Sequence, residues 1–225
     1  MKSKKIKSIT FLAATFAIVG QMNINPALAD NPDADVHMKK AEELFLKGKL
    51  KAAEKEFAEV IKLDPKNAKA HVRMGSTLAA QENYKGAIES CKKSIELDPK
   101  FYFPHIILGQ IYANTRQFKD SVKELEQAVK LKSDTYKGHM ALGRAYTLID
   151  DNDAAIKTYQ TAAKLQPERV GPFNNLAILY EAQGKYKEAI EAGKKAVEVS
   201  KEKSAEKAMA ILTLAGKDLR LLLRD

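Results

Sequence analysis

Four histidines, His37, His71, His105 and His139, are the only ones in the chain, and each follows the last by 34 residues. Imidazoles in a regular series could ligate a metal, pass protons, or add charge together in acid. A metal is excluded by spacing. A whole two-helix repeat separates successive histidines, and packed helices lie about 8–10 Å apart, whereas zinc needs ligand atoms at about 2.0–2.1 Å from one ion. The ladder therefore reads as a half-buried packing position, with pH sensing as its one chemical alternative. Cys91 is the only cysteine, which rules out an intrachain disulfide and a thiolate zinc cluster. No glycine-rich phosphate loop, HExxH or zinc-deaminase spacing is present. The expectation is no catalytic residue, no metal and no cofactor.

The elements that hold the histidines share their period. KLDPKN (62–67), ELDPK (96–100), KLKSD (130–134) and KLQPE (164–168) each begin 34 residues after the one before. Five consecutive units follow, 34–67, 68–101, 102–135, 136–169 and 170–203, with the histidines at position 4 and Phe173 in that place in the fifth. Position 8 reads Ala41, Gly75, Gly109, Gly143, Ala177; position 20 reads Ala53, Ala87, Ser121, Ala155, Ala189; position 27 reads Val60, Ser94, Ala128, Ala162, Ala196. Fourteen of these fifteen are Ala, Gly or Ser, the residues that let helix axes approach. Positions 4, 7, 8 and 11 share one helical face, and positions 20, 24 and 27 share another. Gly48-Lys49 and Gly184-Lys185 mark turns between the two helices, and Pro65, Pro99 and Pro167 end the second. No alternating strand pattern competes.

On these residues the chain resembles the tetratricopeptide repeat (TPR) family. Leu142, Gly143, Tyr146, Ala155, Tyr159 and Pro167 of the fourth unit sit at the family's signature positions. The resemblance implies an all-α, right-handed superhelical solenoid of five helix-turn-helix units. A C-terminal solvating helix over 204–225 would close it, because each repeat exposes an apolar side that the next must cover. Lys40 stands at the apolar position 7 of the first unit, as suits an outer face with no predecessor. Cys91, at position 24, is expected to be a core thiol. Glu89 with Lys93, Glu126 with Lys130 and Glu191 with Lys195 read as pairs on a solvated face.

The resemblance also implies that partners bind a concave side lined by positions 2, 5, 9, 12 and 13. Here Met38, Val72, Ile106 and Met140 occupy position 5, followed by Asn174. Phe45 and Phe103 extend the apolar stripe, and Lys69, Lys137 and Arg144 flank it with positive charge. This is the candidate partner-binding groove, suited to an apolar segment with acidic residues. The residues of a cytosolic carboxylate clamp are absent: Met38, Glu42, Val72 and Ser76 stand in its places in the first two units.

Residues 1–29 have the layout of a secretory signal peptide. Lys2, Lys4, Lys5 and Lys7 precede an apolar run, Ile9 to Gly20, and Ala27-Leu28-Ala29 stands before Asp30. The run is shorter than the ~20 residues of a spanning helix. Cleavage after Ala29, a short segment 30–33 before the repeats, and a periplasmic or secreted location are expected. Loss of that segment removes four lysines and no acidic residue, which takes the net charge from +9 to +5. That is too weak an excess to suggest a nucleic-acid partner. The expected role is a non-catalytic protein- or peptide-binding scaffold in the cell envelope, with no transmembrane anchor in the mature form. Two alternatives are self-assembly through the leucine-rich C-terminal helix, giving a homo-oligomer, and regulation or carriage of an envelope polysaccharide or peptidoglycan enzyme.

Overall fold

The computed structural model describes residues 32–200. The signal segment and the closing helix expected at the two ends lie outside the described residues. Every regular element among those described is an α-helix: α1 Pro32–Leu46, α2 Leu50–Leu63, α3 Ala68–Ala80, α4 Tyr84–Leu97, α5 Phe103–Asn114, α6 Phe118–Leu131, α7 Tyr136–Leu148, α8 Asn152–Leu165, α9 Val170–Ala182 and α10 Tyr186–Val199. Odd-numbered helices are the first (A) helices of the five repeats and even-numbered ones the second (B) helices. The fold is therefore the TPR-like helical array that the period implies. None of these helices is long and apolar enough to cross a membrane.

The turn inside each repeat is set at position 15. Gly48, Glu82, Arg116, Asp150 and Gly184 all have positive φ, between 60° and 71°. Glycine takes this conformation freely, while other residues pay roughly 1–2 kcal/mol. Three repeats hold the same turn without glycine, so the geometry comes from the packing of the two helices it joins. Side chains then start the next helix. Asn83 accepts from the Gly86 N–H and Asp151 from the Ala154 N–H at the start of B helices. Asn67 and Thr135 do the same for Ala70 and Gly138 at the start of A helices.

Two compact units divide the chain, residues 1–116 and 117–225, and the division falls inside the third repeat. In the first unit α1 packs on α2, α2 on α3, α3 on α4 and α5, and α4 on α5. The core includes Ala41, Ala53, Phe57, Val60, Ala87 and Cys91, each fully buried; the thiol is a core side chain as its register implies. It lies so close to Gly75 that a Cβ there would sit 2.7 Å from its Sγ. At the leading edge Lys40 bonds Glu56 at 2.7 Å and Lys47 bonds Glu43, so charged pairs cover the face that has no preceding repeat.

In the second unit α6 packs on α7, α7 on α8, α8 on α9 and α9 on α10. Tyr159 is the largest side chain of a buried cluster with Ile156, Leu176 and Leu179, against which Met140, Tyr146 and Tyr180 pack. The solvated charge pairs are spaced differently from the i, i+4 expectation. Lys93 reaches Glu96 at 3.0 Å and Lys195 reaches Glu198 at 2.9 Å, while Glu126 accepts from a tyrosine.

Candidate partner-binding face

The histidine ladder ties turns together. The Nε2 of His71 lies 3.1 Å from the carbonyl of Pro65, and that of His139 lies 2.8 Å from the carbonyl of Ser133. Both acceptors occupy position 32 of the preceding repeat, so each imidazole donates from the first turn of an A helix to the connection leading into it. His37 has no preceding repeat, and its Nδ1 meets Glu56 Oε2 at 2.6 Å instead. Glu56 also bonds Lys40, and that lysine foremost, then His37, holds its carboxyl below the usual range. Among the described residues no group of three or more His, Cys, Asp or Glu could hold a metal.

A second periodic contact sits at position 11. Tyr146 donates to Glu126 Oε1 at 2.6 Å, and Tyr180 accepts from Gln160 Nε2 at 2.8 Å, so each joins an A helix to position 25 of the previous B helix. Burial, and then the bond to Glu126, push the Tyr146 phenol up to about 12. A raised folded pKa on an acid favours the neutral form, so this contact supports the fold below pH ~10 and is lost as the pH climbs to about 12. Burial also raises Tyr84, Tyr136 and Tyr159, so phenolate absorbance at 295 nm should show a late component of several tyrosines, and Tyr146→Phe should reduce it by one. A late component of undiminished amplitude in that variant would contradict the assignment.

The candidate groove residues fall into two sets. In the first unit Met38, Phe45, Val72, Phe103 and Ile106 are all buried, none more than 8% exposed, and Lys69 is half-buried. The expectation of an open apolar trough there is corrected: these side chains are covered. The whole stretch from Phe103 to Ile111 on α5 is buried, so water reaches neither side of that helix segment. Between these positions lies an ion pair missed by the sequence reading. Arg73, 1% exposed, places Nη2 2.8 Å from Oε1 of Glu42. Burial pulls its guanidinium down to about 10, against the opposing pull of Glu42. Position 6 in the second repeat and position 9 in the first carry the two residues, a spacing that could have suggested the pair.

In the second unit the same register stays open. Lys137, Met140 and Asn174 are half-buried and Arg144 is exposed. Leu148 and Ile178 are 46% and 51% exposed, large apolar side chains at positions 13 and 9. Ile178 was not among the groove candidates, although its register at position 9 was legible. The Oδ1 of Asn174 is inaccessible and has no hydrogen-bond partner. Within the second unit the accessible part of the candidate face is therefore the α7 and α9 stretch, with Leu148, Ile178 and the half-buried Met140 on the face that carries Arg144.

Comparison with known families decides what the array is. Tetratricopeptide repeat models match residues 34–67, 68–101, 105–135 and 173–204, and a further TPR repeat model matches 143–184. The chain belongs to the tetratricopeptide repeat family. No curated protein sequence matches it. Among solved structures it is similar to MamA, at 26% identity and a TM-score of 0.64 over 71% of this chain and 94% of that one. It shares the fold of pilF from Pseudomonas aeruginosa, at 14% identity and a TM-score of 0.75 over 84% and 86% of the two chains. It shares the fold also of YrrB, described as a TPR protein with an unusual peptide-binding site, at 20% identity and a TM-score of 0.62 over 82% and 94%.

Proposed function

We propose that this TPR protein is a non-catalytic scaffold that holds an apolar, acid-bearing protein segment on the face of its A helices, and that it works outside the cytosol. The observation that carries the reading is the open stripe of Met140, Leu148 and Ile178 beside Arg144. Aliphatic side chains one helical turn apart in the repeat register, Leu148 and Ile178 exposed and Met140 half-buried, offer area to a partner, and the guanidinium selects acidic neighbours on it. The layout of residues 1–29 supports the location. The peptide-binding site described for YrrB shows what this fold can support.

The test uses peptides selected from a displayed library on the protein, with binding then read by fluorescence anisotropy. Selected sequences are expected to combine aliphatic and acidic residues. Leu148→Glu together with Ile178→Glu should weaken binding at least tenfold with far-ultraviolet circular dichroism unchanged. Binding that survives both substitutions would remove this face as the docking surface.

A further inference from the structure

Position 2 belongs to the A-helix face and holds Asp35, Lys69, Phe103 and Lys137 in the first four repeats, then Gly171 in the fifth. Gly48 and Gly184 have positive φ, and at Gly75, Gly138 and Gly143 a Cβ would sit between 2.5 and 2.7 Å from a neighbouring atom. Gly171 has neither reason to be glycine. It is helical, and among the described residues a Cβ there would meet only Met140 Cε and Tyr136 Oη, each at 3.4 Å, an ordinary contact. The following Pro172 does not demand glycine either. Phe103 stands ahead of Pro104 at the same two positions of α5, so a full side chain is accommodated before a helical proline. Glycine is less favourable than alanine in a helix. A residue that the fold does not require therefore stands on the open face of the second unit.

We propose that Gly171 opens a notch for the main chain of the docked segment, which is extended there and carries glycine or alanine at the crossing. Met140 Cε and Tyr136 Oη border the notch from α7. Tyr146 and Tyr180 engage Glu126 and Gln160 with their hydroxyls, while that of Tyr136 makes no hydrogen bond among the described residues. Its ring instead has the Arg169 guanidinium 5.9 Å from the centroid. A phenol beside a space that no side chain fills can donate to a carbonyl brought close by backbone approach. The carbonyls of a helix are taken by its own N–H groups, whereas an extended chain presents them outward, so the crossing stretch is extended. Gly171 and Ile178 are seven residues apart on one side of α9, about 10 Å at 1.5 Å per residue. An extended chain covers that distance in about three residues at about 3.3 Å each. The small residue of the partner therefore stands about three residues from the aliphatic one seated on Ile178. This inference rests on the reading of the A-helix face as the docking surface, and adds the backbone form of the partner and the residue that selects it.

The experiment uses the full chain and a fluorescein-labelled peptide taken from the displayed library. Gly171→Leu fills the notch and is expected to weaken binding about tenfold at unchanged helicity. Tyr136→Phe keeps the ring and drops the hydroxyl, and should weaken binding about fivefold, as one lost hydrogen bond does. A peptide whose small residue is replaced by valine should lose affinity on the native chain and little more on Gly171→Leu. Unchanged binding by Gly171→Leu overturns the notch, and the docking reading still stands if Leu148→Glu with Ile178→Glu weakens the same peptide. Binding that ignores Leu148 and Ile178 but falls with Gly171→Leu does the reverse. Should Gly171→Leu disturb folding, Tyr136→Phe and the valine peptide carry the same test. Gly171→Ala reads the notch without any peptide. It should keep or raise the urea-unfolding midpoint, because the methyl group fits and alanine favours the helix. A lowered midpoint would make the glycine a requirement of the fold and overturn the inference.

Discussion

Replacing Tyr159 by alanine is expected to lower stability by about 3–5 kcal/mol, read as an earlier urea-unfolding midpoint. The ring is 2% exposed and touches the cluster of Ile156, Leu176 and Leu179 that joins the fourth and fifth repeats. Its removal leaves a space that helices held by short turns cannot close. The ring is matched to Gly143 on α7, where a Cβ would sit 2.7 Å from Cε1 and 2.8 Å from Cζ. Gly143→Ala should therefore be destabilising by about 1–3 kcal/mol, because a ring packed in the core has nowhere to move. The two substitutions should not add. With the ring gone, the new methyl group occupies part of its space, so the double variant should lose less than the two single losses combined. Strict additivity would mean that the small residue at position 8 and the large one at position 24 do not restrict each other.

That pairing explains why so much of the fold was legible in the sequence. Close helix approach demands small residues at fixed places, and a 34-residue recurrence of Ala, Gly and Ser leaves few other architectures. The same logic placed Cys91 in the core and His37, His71 and His139 at half-buried contacts, while His105 is buried outright. The register also located the A-helix face, but a register gives direction and not access. Met38 and Met140 share a letter and a position and still differ in burial. Gln110 carried no sequence sign of being covered. The positive φ at Glu82, Arg116 and Asp150 was equally silent, since the turn there is imposed by the helices and not by glycine. Lysines were matched to acids four residues away, while three-residue spacing brought Lys93 and Lys195 to their partners.

The ion pair of the first unit yields the second large effect. Arg73 stays charged at neutral pH, since burial lowers its pKa only to about 10. A depressed base favours the neutral form in the fold. Its burial therefore opposes folding below about pH 10, and that opposition fades as the pH rises from there towards the guanidinium's higher unfolded value. Glu42, 30% exposed, is the countercharge at 2.8 Å. Glu42→Ala in the full chain should lower stability by about 2 kcal/mol, short of the ~3–5 of a fully buried pair because Glu42 keeps some water. Arg73→Met, which retains the long stem and discards the charge, should be neutral or stabilising, and a loss as large as that of Glu42→Ala would contradict the view that buried charge is the cost.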